Sequence, residues 1–202
     1  MTEKRQEKRQ ELRTRLIEAA RDRIAAGGLR GLRARDVTAD AGCALGGLYT
    51  AFADLNELVI HVNSDTLRRL GEAVAEASAG IEEPGTKLKA MALAYLAFAR
   101  THNALWLALF DTTMLADVEI PQWHKDDQAG LIDGIARTLA AISPDMDEDA
   151  RQRRARTLFA AVHGIVSISL EKRFIGLSGD HLEGELESFV DLVARAPTPL
   201  NR

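Results

Sequence analysis

Residues 37–58, VTADAGCALGGLYTAFADLNEL, constrain the fold more than any other stretch of the chain. Val37 and Ala41 stand four residues apart on one helical face, and Gly42 interrupts that run. Leu48 and Phe52 then open a second stripe at the same spacing. The pattern predicts two short helices joined by a glycine-bearing turn. Asp54 with Glu57 three residues later predicts the start of another helix, capped at its first amides. In a helix-turn-helix one helix braces while the next enters a DNA major groove, but any antiparallel helical hairpin shares the spacing. Periodicity alone leaves both readings open.

The rest of the chain predicts more helix. Of its 202 residues 46% are hydrophobic, enough for one large or two small cores. Alanine and leucine dominate while β-branched and aromatic residues are sparse, so the expected class is all-α. Leu12, Leu16, Ala20 and Ile24 mark a first helix that Gly27 and Gly28 end. Helices are expected over about 34–41, 45–52 and 54–78, then a break at 79–85 containing Pro84. Others follow over about 86–100, 103–110, 121–142, 147–174 and 181–195. These make about nine, with Asp147 and the Asp180–Glu183 pair as caps. The expected domains are 1–53 and 54–196, with the helix over 54–78 connecting them and 197–202 as a frayed tail.

Charge is distributed unevenly. Residues 1–50 carry 11 Lys/Arg against 7 Asp/Glu, the remainder 15 against 23. A basic head on an acidic body suits a chain that offers one end to phosphates, although a solvated helix face has the same composition. No apolar run reaches membrane-spanning length, and the charged start MTEKRQEKRQ lacks a secretory signal's apolar core. The single cysteine, Cys43, forms no internal disulfide, so a reducing cytoplasm is the expected compartment. The five histidines show no metal-binding spacing, and no nucleophile elbow, P-loop or dinucleotide fingerprint is present. An enzyme, a metal and a cofactor are not expected.

Arg35-Asp36-Val37, Ala41-Gly42, Gly46, Leu48-Tyr49, Phe52, Asp54 and Leu58 resemble the DNA-binding motif of the TetR/AcrR family of bacterial regulators. The resemblance covers about the first 60 residues. The segments Leu105–Phe110 (LWLALF) and Val162–Ser167 (VHGIVS) are similar to a C-terminal subtype of these regulators called WHG. The resemblance implies a three-helix DNA-binding domain with a helix-turn-helix, followed by a helical bundle for ligand binding and dimerisation. It also implies a homodimeric regulator, most often a repressor, released from a palindromic operator by a small effector. The alternative is a helical ligand-binding or interaction module of the same fold that has weakened or lost DNA binding.

By this resemblance double-stranded DNA meets residues 43–50. Tyr49 and Thr50 can donate to phosphates, while Ala44, Leu45, Gly46 and Gly47 permit close approach and contact with a thymine methyl. Arg33 and Arg35 are the charged candidates for the backbone. The chain departs from the family pattern at Arg33 (usually Ser or Thr), Ala44-Leu45 (Ser-Lys), Ala51 (aromatic or His) and Leu55 (Lys). Affinity then rests on arginines and backbone amides, or DNA binding is weak. The helical pair over 149–174 and 181–195 is the expected dimer interface, with Leu182, Leu186, Phe189 and Val193 as its stripe, unless that stripe packs within its own subunit. Tyr95, Phe98, Trp106, Phe110, Trp123, Phe159 and His163 are the candidate effector lining, with His102, His124, Ser167 and Met114 as further polar or soft positions. These aromatics suit either an ordinary core or a largely apolar pocket for a hydrophobic or aromatic effector.

Overall fold

The computed structural model describes residues 2–111, 113, 118–171, 176–177 and 179–195. Met114, the expected helix end at residue 174 and the tail 197–202 lie outside these, as does the side chain of Asp180. Nine α-helices and one short 3-10 turn make up the described residues, with no strand among them. They are α1 (Thr2–Gly27), the turn Leu29–Gly31, α2 (Ala34–Asp40), α3 (Leu45–Ala51), α4 (Leu55–Ala77) and α5 (Pro84–Thr101). Then come α6 (Asn103–Phe110), α7 (Gln122–Ile142), α8 (Glu148–Leu170) and α9 (Gly179–Arg195). The fold is all-α.

Local chemistry explains the helix ends. Gly42 takes the left-handed φ of 64°, the Cys43 amide donates to Thr38 O at 2.9 Å and the Gly42 amide to Ala39 O at 3.1 Å. This pair of bonds is a Schellman closure, which satisfies carbonyls that the last turn of α2 leaves without partners. Asp54 Oδ1 accepts from the Glu57 amide at 2.8 Å, and Glu57 Oε2 reaches back to the Ala53 amide at 2.6 Å, so the cap works in both directions. Glu83 accepts from the amides of Gly85 and Thr86 at the start of α5, where Pro84 needs no partner of its own. Asp147 accepts from the Ala150 amide at 2.7 Å and opens α8.

The chain forms two compact units. The first, Met1–Arg68 with His102–Asp127, buries Leu16, Ala20 and Ile24 of α1 against Val37, Ala41, Leu48 and Phe52. Leu58, Val59 and Val62 of α4 join that core, and so do Leu105 and Ala108 of α6. Each fully buried leucine contributes about 1.5–3 kcal/mol. The Asn63 amide donates to Ala108 O at 3.3 Å, fastening α6 to α4. Contact therefore groups α6 and the first turns of α7 with the N-terminal helices, although the sequence places them well beyond residue 53.

In the second unit, Arg69–Thr101 with Gln128–Arg202, α5 packs on α8 and α9. Lys89 pairs with Asp191 at 3.1 Å and Arg100 pairs with Glu183 and Gly179 O, so α5 and α9 run antiparallel. Leu182, Leu186 and Val190 are buried within their own subunit, and Phe189 and Val193 are only half-buried. The α9 stripe expected at 182, 186, 189 and 193 is thus divided. Its two leucines fill this core, while Leu192, 71% exposed, stands on the outer face.

Candidate functional site

The exposed face of α3 carries Ala44 at its cap, then Leu45, Gly46, Tyr49 and Thr50. Leu45 is 38% and Tyr49 58% exposed, unusual for large apolar or aromatic side chains and fitting for a face that meets a partner. Leu48 and Ala51 face the core. Thr50 donates its hydroxyl to Gly46 O at 2.9 Å, which leaves Tyr49 as the outward side chain with an uncommitted donor. Gly47 is half-buried, and a Cβ there would lie 3.0 Å from Cys43 Sγ. Its small size serves the packing of α3 on the turn rather than approach from outside.

The arginines divide in the same way. Arg35 is exposed in the first turn of α2. Arg33 instead bends back, donating to Arg30 O at 2.9 Å and Leu32 O at 3.0 Å, where a capping hydroxyl would otherwise stand. Arg23 grips Asp40 with two bonds, at 2.5 and 2.9 Å, and lies 3.6 Å from Asp36, tying α1 to α2. The hydrogen bond to Arg23 holds the Asp40 carboxyl below its ordinary range.

A fourth arginine has no signal in the sequence. Arg13 donates to Ala51 O at the C-terminal end of α3, lies 2.7 Å from His61 Nε2, and places its guanidinium 4.2 Å over the Phe52 ring. A carbonyl that helix geometry leaves unpaired is satisfied, and the cation stands on a π face. The exposed helix is thereby pinned to α1 and α4. Burial and the neighbouring Arg13 hold the His61 imidazole below its ordinary value, against the opposing pull of Glu57. Trp123 covers the other side of His61, stacked at 4.5 Å. Beside it, buried His124 shares a 2.6 Å hydrogen bond with Ser64.

The second unit holds an apolar cavity of about 40 Å³ lined by Val74, Leu88, Met91, Tyr95, Phe159 and Val162, among others. The Tyr95 hydroxyl and His163 Nδ1 are 2.8 Å apart, and Phe159 stands edge-on to Tyr95 and parallel to His163. Burial depresses the His163 pKa. Two of the seven candidate effector residues, Tyr95 and Phe159, line this cavity, and His163 stands outside its lining, hydrogen-bonded to Tyr95. Phe98 is buried on α5 away from its lining. Trp106, fully buried, and Phe110, edge-on to it, belong to the first unit, as does Trp123. Among the described residues no group of three His, Cys, Asp or Glu side chains could hold a metal ion, and no helix is long and apolar enough to cross a membrane.

Residues 88–194, more than half of the chain, match the family model of the tetracyclin repressor-like C-terminal domain. The chain belongs to the TetR family of transcriptional regulators. No curated protein matches it. Among solved structures, a protein of unknown function from Rhodococcus sp. RHA1 superposes with TM-score 0.74 at 21% identity, covering 91% of this chain and 94% of that one. A TetR transcriptional regulator from the same organism gives TM-score 0.66 at 19% identity over 95% and 100% of the two chains. The transcriptional regulator FadR from Bacillus subtilis, solved in complex with stearoyl-CoA, gives 0.69 at 16% identity over 92% and 99%. At these identities the likeness is one of fold.

Proposed function

We propose that this TetR-family protein is a homodimeric repressor that binds a palindromic operator and leaves it when a small apolar effector enters the second unit. The single observation that carries the reading is the exposed, pinned α3 following a glycine-closed turn. In such a head Ala44, Leu45 and Gly46 face base edges, where Leu45 touches thymine methyls, and Tyr49 and Arg35 hold phosphates. Two heads of a dimer would occupy major grooves about 34 Å apart. Residues 1–53 form the reading head in this scheme and 54–196 the effector and dimer region. The effector site centres on Tyr95, Phe159 and His163, and the FadR neighbour's complex with stearoyl-CoA, whose acyl chain is apolar, supports an apolar ligand. Release requires that the effector bind the DNA-incompetent state more tightly, and α4, whose residues divide between the units at Arg68, is the element suited to carry that difference.

One observation favours a second reading, a ligand-binding module with weakened DNA binding. The outer face of α3 offers one free side-chain donor, Tyr49, because Thr50 bonds its own backbone. Selection from random duplexes at low salt separates the two. An enriched inverted repeat, bound with steep salt dependence, is the outcome expected of a repressor built on arginines and backbone amides. Recovery of no palindrome supports the module.

A further inference from the structure

Two spaces in the second unit meet at three shared side chains. The inner cavity of about 40 Å³ and an open groove of about 750 Å³ between α4, α5 and α7 share Val74, Met91 and Leu131 in their walls. Elsewhere their chemistry differs. The inner walls are aliphatic and aromatic, whereas the groove adds Ser78, Glu82, Lys87, Arg137 and Thr138. Of these three, Met91 is the unbranched side chain. Its Cε lies 3.5 Å from where a Cβ on Gly134 would stand, and its Sδ accepts only a weak 3.8 Å contact from the Thr138 hydroxyl. An unbranched thioether beside a glycine swings aside at little cost, and when it does the two spaces become one.

The sizes and charges select the occupant. An apolar cavity of about 150 Å³ accepts a benzene ring; the inner cavity, at about 40 Å³, is too small for a ring and takes only the end of a chain whose remainder lies in the groove. In the groove, Lys87 and Arg137 make no ion pair among the described residues, while Lys89, Arg100 and Arg151 of the same unit each do. Glu82 offsets one of the two free cations, leaving the groove net positive. We propose that the effector is an amphiphile, an unbranched apolar chain that passes Met91 into the inner cavity and an anionic head held by Lys87 and Arg137. This rests on the effector role given above to the cavity lined by Tyr95 and Phe159, and it replaces an aromatic effector with a linear one.

Calorimetric titration of the full chain with decanoate and with decanol tests it. Decanoate should bind about tenfold more tightly than decanol, the gain from charge-assisted hydrogen bonds to the head. The paired substitutions Lys87→Ala and Arg137→Ala should erase that difference and leave decanol binding unchanged. Gly134→Leu, which fills the space beside Met91, should weaken both ligands at least about tenfold. Gly134→Ala, whose added Cβ makes only ordinary contact, keeps the fold available for comparison and should show a smaller loss for both. Equal binding of decanol and decanoate, indifferent to Lys87 and Arg137, overturns the amphiphile and leaves the apolar effector standing. Undiminished binding in both Gly134 variants overturns passage beside Met91. Binding of neither ligand to the native chain overturns this proposal together with the effector reading.

Discussion

Arg13 connects three features of the first unit through one guanidinium: the end of α3, the Phe52 ring and His61. Replacing it with alanine leaves the Ala51 carbonyl without its partner and should cost about 2 kcal/mol, the usual range for a hydrogen bond to a charged group. Urea unfolding should show that loss, and affinity for the selected operator should fall with it. Intact operator affinity in Arg13→Ala would show that the pin does not position α3. Buried His124 and half-buried His61 and His163 set a pH window. Burial is the first cause that holds His61, His124 and His163 below the ordinary 6.5, so the unfolded chain takes up protons first as the medium is acidified. Their contribution is complete above that ordinary value and is lost progressively as pH falls from it through the depressed folded values. Urea midpoints at pH 7.5 and 5 should therefore fall with acidification, and His163→Gln should flatten the slope. A midpoint that does not move contradicts the assignment.

At the scale of elements, the helix-turn-helix depends on a backbone conformation more than on any contact. Gly42 at φ 64° has room for a methyl group, since an added Cβ would stand 3.7 Å from Arg15 Nη1. Gly42→Ala should therefore lose stability through strain alone, about 1–2 kcal/mol, seen as a lower thermal midpoint with unchanged helical circular dichroism. On α3, Tyr49→Phe removes the one uncommitted outward hydroxyl and should cost about 1 kcal/mol of operator binding without changing stability. These two elements were also the most legible in the sequence. The spacing of Val37, Ala41, Leu48 and Phe52 marks both buried stripes, and all four are buried. The pin on α3 was not legible, because Arg13 is separated from Ala51 by 38 residues and sits in a run of similar charges.

For the whole molecule, α9 tells core from interface. Leu186 is fully buried in its own subunit, so Leu186→Ala should cost about 2–5 kcal/mol of stability. Leu192 and Ile168 are 71% and 51% exposed on α9 and α8, the helices proposed to meet their symmetry mates. Leu192→Glu should leave the helical circular dichroism unchanged, shift sedimentation toward monomer at micromolar concentration and lower affinity for a palindrome. Dimerisation unaffected by Leu192→Glu would place the interface elsewhere.

The order, lengths and ends of the helices were determined by the sequence itself, because caps, glycines and four-residue stripes act within a turn or two of the residues that carry them. The reading of α3 as an exposed helix was likewise local, following from which residues of one short stripe are apolar. Tertiary structure decided what depends on helix rotation and long-range packing. An apolar stripe does not reveal which neighbour it faces, so the six candidate aromatics and His163 looked equivalent. Packing brings Tyr95, Phe159 and His163 together while Trp106, Phe110 and Trp123 fall to the N-terminal unit. Gly47 and Arg33 also look like surface residues by spacing, yet one closes on Cys43 and the other on backbone carbonyls. The junction at Val74, Met91 and Leu131 was out of reach of the sequence for the same reason: a cavity is the space between helices, and no single helix encodes it.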